Sequence, residues 1–534
     1  VSSELPRFSL DQGPAAFVEE YTRFVRPLKV EHGRCYWLFA TDGNASAHAR
    51  VEEIEEQLSD LHSDERIYEA LGQWRREEGL DPGLMRQLNI LYPDYRQGRA
   101  DATLRKEIIR RSLKIEQTCS MFRAELDGQR LDSNELDRRL LQETDEIKRQ
   151  KIWETTRQIG QKTAPQVIHL AKLRNEMARS LGFDNYYSLA LEEEEMSQEQ
   201  LFEILDELRE QTDEPWAKQK SALDLEFGKL RGKEPGTLQP WDYSERFLQS
   251  VPRQGSEGSI DRWFPINAIQ GYAKHYYRGI GLPIDTLWAA SDMLPRDGKF
   301  PHAFCIGIDN PDDVRVLCNL DSTKRWMETT LHEFGHALYD AGIDSELPWL
   351  LRSPAHTFIT EAVAMFFGRL AGDEQWLREV ADVPQELAGR ASAKLRESQL
   401  VFVRWALTVS YFERSFYADP EADLDALWWR LVSELQGLER PEGWQGGDWA
   451  SKVHIACYPA YYQNYILGEL LASQFNAQIQ NDLNGSWINN HQVGNYFQKL
   501  FTKGRSLSWT RTVQEQCSQE LSTSHWLGQF GPGG

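Results

Sequence analysis

Apolar residues recur at helical spacing along most of the chain. Within 46–80, Val51, Ile54 and Leu58 fall on one stripe at i, i+3 and i+7, which predicts an amphipathic helix. The stretch 133–180 repeats the pattern and opens on Ser133-Asn134-Glu135, a helix-capping sequence. A third helix is expected over 197–230, with Ser197 as its cap and Glu199 and Gln200 in the first turn. The Glu192–Glu195 run just ahead of it reads as a solvated face or loop rather than a metal site. Between 229 and 260 the character changes. Gly232, Pro235, Gly236, Pro240, Pro252, Gly255 and Gly258 mark a loop-rich connection. A second break runs from Pro295 to Pro301. Residues 313–319, Asp-Val-Arg-Val-Leu-Cys-Asn, alternate in a β-branched way and read as the clearest strand. Helices return from 326, and no internal repeat is seen. The pattern predicts a mainly α fold of one 534-residue unit: an N-terminal helical half over 1–230, a catalytic half over 260–534, a cleft between them and one small strand system.

Composition narrows the function classes. With 18 Trp, 19 Tyr and 23 Phe the chain has ample core material, so bulk disorder is excluded. A net charge of −22 without a basic block argues against nucleic acid and anionic membrane surfaces. No apolar run is long enough for a membrane span. Six scattered cysteines, Cys35, Cys119, Cys305, Cys318, Cys457 and Cys517, form no C-x-x-C pair and read as buried thiols in a reducing compartment. Residues 1–20 lack a basic segment followed by an apolar one. The chain begins with Val1, so a secreted or periplasmic protein with its signal removed is the alternative to a cytoplasmic one. Two N-x-S sequons, at Asn44 and Asn484, are expected by chance in this length.

The strongest chemical signal is His332-Glu333-Phe334-Gly335-His336. Histidines four apart on a helix project from one face and can share one tetrahedral Zn²⁺. Glu333, turned about 100° from His332, stands beside the metal, where it can take a proton from water and pass it to a leaving amine. With 12 His and 82 acidic residues the motif is expected by chance about 0.04 times, so a helix merely carrying two histidines is the weaker account. A catalytic zinc needs a third protein ligand. No third histidine follows at metzincin spacing, and Glu361 is the candidate. It lies 25 residues after His336 on an apolar helix through Phe358, Val363, Phe366 and Leu370. A carboxylate there needs a cation: zinc or, failing that, Arg352 or Arg369. Further on, Lys452, His454, Tyr458, Tyr461, Tyr462 and Tyr465 fall within fourteen residues. They are either an aromatic core stripe or donors to an oxyanion and to substrate.

These blocks resemble the gluzincin peptidases related to angiotensin-converting enzyme and to thimet oligopeptidase, most strongly over about 260–530. His302-Ala303-Phe304-Cys305 is similar to the His-Ala segment ahead of the substrate-aligning strand, and Asp313-Val314-Arg315-Val316 to that strand. Arg352, nine residues before Glu361, follows the angiotensin-converting enzyme pattern. Lys452-x-His454 with Tyr462-x-x-Tyr465 resembles the substrate and oxyanion block. The resemblance implies one zinc ion on His332, His336 and Glu361, with Glu333 as base and then acid. It makes Tyr465 the oxyanion donor assisted by His454, with Lys452 and Tyr462 on a peptide's C-terminal carboxylate. Ala303 would bind the peptide backbone, and His302 and Tyr458 would line the substrate site. It implies a two-lobed helical fold with a deep channel admitting short unfolded peptides.

The chain also departs from that pattern. Asn464 replaces a chloride-binding arginine of the vertebrate enzyme, which leaves chloride activation doubtful. Met365 replaces an acid that orients a zinc-bound histidine, so another partner must do so. No match is found for the glutamine that completes the carboxylate site, and the spacing of Tyr458, Tyr462 and Tyr465 is that of the oligopeptidase group. The expected function is a zinc peptidase releasing C-terminal dipeptides. The alternatives are an endo-acting oligopeptidase and a non-catalytic peptide-binding protein.

Overall fold

The computed structural model describes residues 6–251, 260–483 and 487–531. Pro252, Gly255, Gly258 and Asn484 lie outside them. The described residues are mainly helical, with two small antiparallel sheets: β1 (Ala124–Leu126) with β2 (Gln129–Leu131), and β3 (Phe304–Asp309) with β4 (Asp313–Leu317). No helix among them is long and apolar enough to cross a membrane. The hairpin β1–β2 went unread in the sequence. Its signal was Asp127-Gly128, both at positive φ, 53° and 76°, as a two-residue type I′ turn demands.

Helix boundaries follow the local chemistry. Val51, Ile54 and Leu58 are buried in Ala45–Leu61, but a break follows and Asp64 caps a separate helix, Glu65–Trp74. The expected 133–180 stretch is three helices, Ser133–Gln142, Glu146–Thr155 and Gln158–Ser180. Its first cap is Asp132, one residue earlier than expected, because the Asp132 carboxylate accepts from the Glu135 N–H. Ser197 caps Gln198–Arg231 as expected. Up to residue 251 the loop-rich stretch after it holds the short turns Pro235–Thr237 and Pro240–Tyr243.

The acidic run Glu192–Glu195 ends a helix in a turn with Glu192 and Glu195 exposed, as a solvated face or loop would be, but its carboxylates are also paired. Glu192 pairs with Arg96 (2.5 Å), Glu193 accepts from Gln97 (2.8 Å) and Glu195 pairs with Arg86. Glu194 approaches His356 at 3.6 Å. Partners 96 to 162 residues away in sequence turn what reads as a charge run into a joint between distant segments.

Helices Gly13–Asp42, Ala45–Leu61, Glu65–Trp74 and Pro82–Gln97 bury an apolar cluster of their own around Phe17, Ile54, Leu71 and Tyr95. Most of the rest of the described chain shares one large core, with two small clusters beside it, one around Trp37 and Ile308 and one around Met177 and Leu189. At its centre three helices meet: Lys324–Ala341, Thr357–Arg369 and Gln463–Leu483. Two glycines permit their approach. A Cβ on Gly335 would lie 2.8 Å from the Ala364 Cα, and one on Gly468 would lie 3.0 Å from the Glu361 Cβ. The β3–β4 hairpin packs on the first of these helices.

Candidate active site

Two caps set the helices that carry the site. The Thr323 hydroxyl caps Lys324–Ala341, and His356 Nδ1 accepts from the Phe358 N–H to cap Thr357–Arg369. This puts His332 and His336 on one face, their ring centroids 4.9 Å apart. Glu361, from the neighbouring helix, is 2% exposed. Its Oε2 stands 3.5 Å from His332 Nε2 and 3.7 Å from His336 Nε2, and the donor atoms of the three residues lie within 4.8 Å of one another. Neither arginine weighed as a partner reaches Glu361: Arg352 donates to the Leu347 carbonyl, and Arg369 pairs with Glu469.

The donor set fits a divalent cation. Glu361 Oε2 is a buried acceptor with no donor. Burial holds both imidazoles neutral, His332 down to about 4 and His336 well below its usual range. Burial pushes the Glu361 carboxyl up to about 7. Glu333 is pushed up to about 8, by burial first and then by the charge of Glu361. Two buried carboxyls facing two neutral imidazoles lack positive charge, and nitrogen and oxygen donors in this number suit zinc.

Groups the sequence reading passed over surround these ligands. Thr360 Oγ1 lies 2.7 Å from His336 Nδ1, which fixes that ring and supplies the partner Met365 cannot. The Tyr461 hydroxyl donates to Glu361 Oε1 at 2.6 Å. Thr360 adjoins Glu361 and Tyr461 lies in the tyrosine block, so proximity in sequence was the available clue to both.

The tyrosine block is a short helix, Val453–Cys457, a turn, and the start of Gln463–Leu483. Ala460 in that turn takes φ +54°, and its N–H donates to the buried carboxylate of Glu413 at 3.0 Å. The turn therefore aims several tyrosines inward. Tyr465 and His454 meet, hydroxyl to Nε2, at 3.1 Å. Lys452 Nζ donates to Gln249 Oε1 at 2.8 Å and lies 5.2 Å from the Tyr462 ring centroid. Gln249 is a glutamine the sequence search did not identify. It lies 203 residues before Lys452 in the loop-rich segment, where no motif marks it.

The Tyr462 hydroxyl accepts from Trp405 Nε1 at 2.6 Å, which keeps its own proton available. The His302 side chain is exposed to solvent but lies within electrostatic reach of Lys452, Arg246 and Arg325, and loss of solvation first, then Arg246, lowers it to about 4. Ala303 precedes β3 directly. The expected His-Ala segment is thus ahead of a strand, but that strand begins at Phe304, and Asp313–Val316 forms its antiparallel partner. Tyr458 stands apart. Its hydroxyl donates to Glu116 at 3.2 Å, and Glu116 also accepts from Tyr36 at 2.9 Å, so Tyr458 is tied to the N-terminal helices.

Residues 284–532 match Peptidase family M3, and residues 10–219 match the angiotensin-converting enzyme family. Both are gluzincin families. The chain is an enzyme, a zinc metallopeptidase that acts on peptides.

Proposed function

We propose that the enzyme releases dipeptides from the C-terminus of short peptides. The observation that carries this reading is Lys452. Its ammonium is half-buried, hydrogen-bonded to the neutral amide of Gln249 and flanked by the faces of Tyr462 and Trp405. No described carboxylate lies within ion-pair distance of it. A cation so placed favours an anionic ligand, and the free carboxylate of a peptide is one. Tyr462 offers a hydroxyl proton beside it.

His332, His336 and Glu361 would hold the metal. Zinc bound there would supply Lewis acidity towards water and the scissile carbonyl. Glu333 takes a proton from the attacking water and delivers it to the leaving amine nitrogen. Tyr465 donates to the oxygen that gains charge, and with Nε2 protonated His454 donates to the Tyr465 oxygen and leaves the phenol proton free for that task. Ala303, ahead of β3, pairs with the peptide backbone. His302 packs at the Lys452 end.

The test compares free-acid peptides with their C-terminal amides. Losing a carboxylate from a buried cation costs about 2 kcal/mol or more, so amides should be cut about thirtyfold or more less efficiently. Lys452→Ala should narrow that gap by lowering kcat/KM for the acids. Equal cleavage of acids and amides, at bonds remote from the C-terminus, would replace this reading with an endo-acting oligopeptidase.

A further inference from the structure

We propose that Tyr461 is a positioning residue of the metal centre, holding Glu361 as a one-oxygen ligand by occupying its second oxygen. A carboxylate can bind a metal through one oxygen or through both. Here the two oxygens have different surroundings. Oε1 accepts from the Tyr461 hydroxyl at 2.6 Å, the length expected for a phenol donating to a carboxylate. Oε2 has no donor and faces Nε2 of His332 at 3.5 Å and Nε2 of His336 at 3.7 Å.

One-oxygen binding matters for the chemistry. Two imidazoles and a single carboxylate oxygen make three protein donors, which leaves a position open. If Oε1 also turned onto the metal, that position would be crowded. Glu361 could make such a turn only by giving up the Tyr461 bond. Gly468 of the facing helix packs close behind this residue, where an added Cβ would lie 3.0 Å from the Glu361 Cβ.

Tyr461 is itself held from several sides. Its ring packs 5.4 Å from Tyr465 and 6.2 Å from His454. One residue before it, the Ala460 N–H is fixed by Glu413. The arrangement parallels that of Thr360 on His336, so two of the three ligands each have a hydroxyl on the atom that does not face the metal. This inference does not depend on where in a peptide the enzyme cuts.

The decisive experiment is Tyr461→Phe, which removes only the hydroxyl. Zinc affinity, measured by competition with a chelator of known strength, should fall about 10- to 100-fold. In protein loaded with Co²⁺, the visible d–d absorption should weaken as Oε1 joins the metal and the coordination number rises. Turnover at saturating zinc should suffer far less than in Tyr465→Phe. Replacing Tyr461 by 4-aminophenylalanine, which keeps a donor at similar reach, should restore most of the affinity and the parental Co²⁺ spectrum. That variant also decides the matter if the phenylalanine protein does not fold. Unchanged zinc affinity and an unchanged Co²⁺ spectrum in Tyr461→Phe would overturn the proposal. So would a loss of turnover at full metal occupancy as large as that of Tyr465→Phe with affinity intact, which would assign Tyr461 to the substrate.

Discussion

At the residue scale, each side chain of the site has a separable task. Glu333→Gln leaves the three ligands in place but removes the group that moves the proton. The variant should retain its zinc, measured by elemental analysis, while losing most of kcat. Tyr465→Phe removes a donor used mainly in the transition state, so kcat should drop about 10²–10³-fold with little change in KM. His454→Ala, which takes away the partner of that phenol, should act in the same direction. Lys452 adds a pH signature. Burial first, then Arg246, lowers its ammonium to about 7, with Arg325 acting in the same sense and Glu245 and Asp137 opposing. It is charged below that pH and neutral above it. For free-acid peptides kcat/KM should therefore fall as pH rises through about 7, and for amides the fall should be smaller. A pH profile with the same slope for both would remove Lys452 from carboxylate binding. The histidines of the candidate metal group were legible in the sequence because H-E-x-x-H places two possible donors one helical turn apart on one face. Gln249 was not, since only the folded chain brings it to Lys452.

At the element scale, the site depends on how closely helices approach. Lys324–Ala341 carries both histidines, Thr357–Arg369 carries Glu361, and Gln463–Leu483 begins at the tyrosine turn. Gly335, between the two histidines, is where the first two nearly touch: an added Cβ would sit 2.8 Å from the Ala364 backbone. On helix propensity alone Gly335→Ala should stabilise the protein by about 1 kcal/mol. The overlap is with backbone, which cannot rotate away, and overpacking of this kind costs about 1–3 kcal/mol. The second effect wins. Gly335→Ala should lower the denaturation midpoint and also weaken zinc binding, because parting the helices moves Glu361 away from the histidines. An alanine variant with parental zinc affinity would show that the ligands tolerate a wider spacing. Helical periodicity made most elements readable, and Ser197 marked its helix to the residue. The readings failed where distant partners decide. The pairing of the exposed Glu192–Glu195 run went unread because its arginines lie about a hundred residues earlier. The single long stretch over 133–180 hid two breaks, although Asp145 caps a new helix, Glu146–Thr155, after the first of them.

At the scale of the whole molecule, the question is what holds the proposed carboxylate pocket together, since Gln249 and Lys452 come from distant parts of the chain. Arg157, at the start of Gln158–Ser180, joins them. Its Nε donates to Asp448 at 2.7 Å, and the two side chains are each 2% exposed. Its guanidinium also reaches the Arg246 carbonyl and stacks on Trp153 and Phe247. Arg246 and Phe247 lie just before Gln249, and Asp448 lies just before Lys452. One buried cation thus braces both the glutamine and the lysine. Asp448 in turn accepts from Trp429 and, at 2.7 Å, from Trp444. Asp448→Ala would leave Arg157 buried without its counter-charge and free two indole N–H groups, a loss of about 3–5 kcal/mol. Replacing both members, Arg157→Met with Asp448→Leu, removes the stranded charge and should recover a good part of that loss, as read from denaturant midpoints of the single and double variants. In whatever Asp448→Ala protein stays folded, KM for free-acid peptides should rise more than kcat falls, with zinc content unchanged, because the brace serves the pocket and not the metal. If kcat and zinc content fell together while KM held, Arg157 and Asp448 would be supporting the three-helix metal centre instead, and the two sides of the pocket would be held by their own packing.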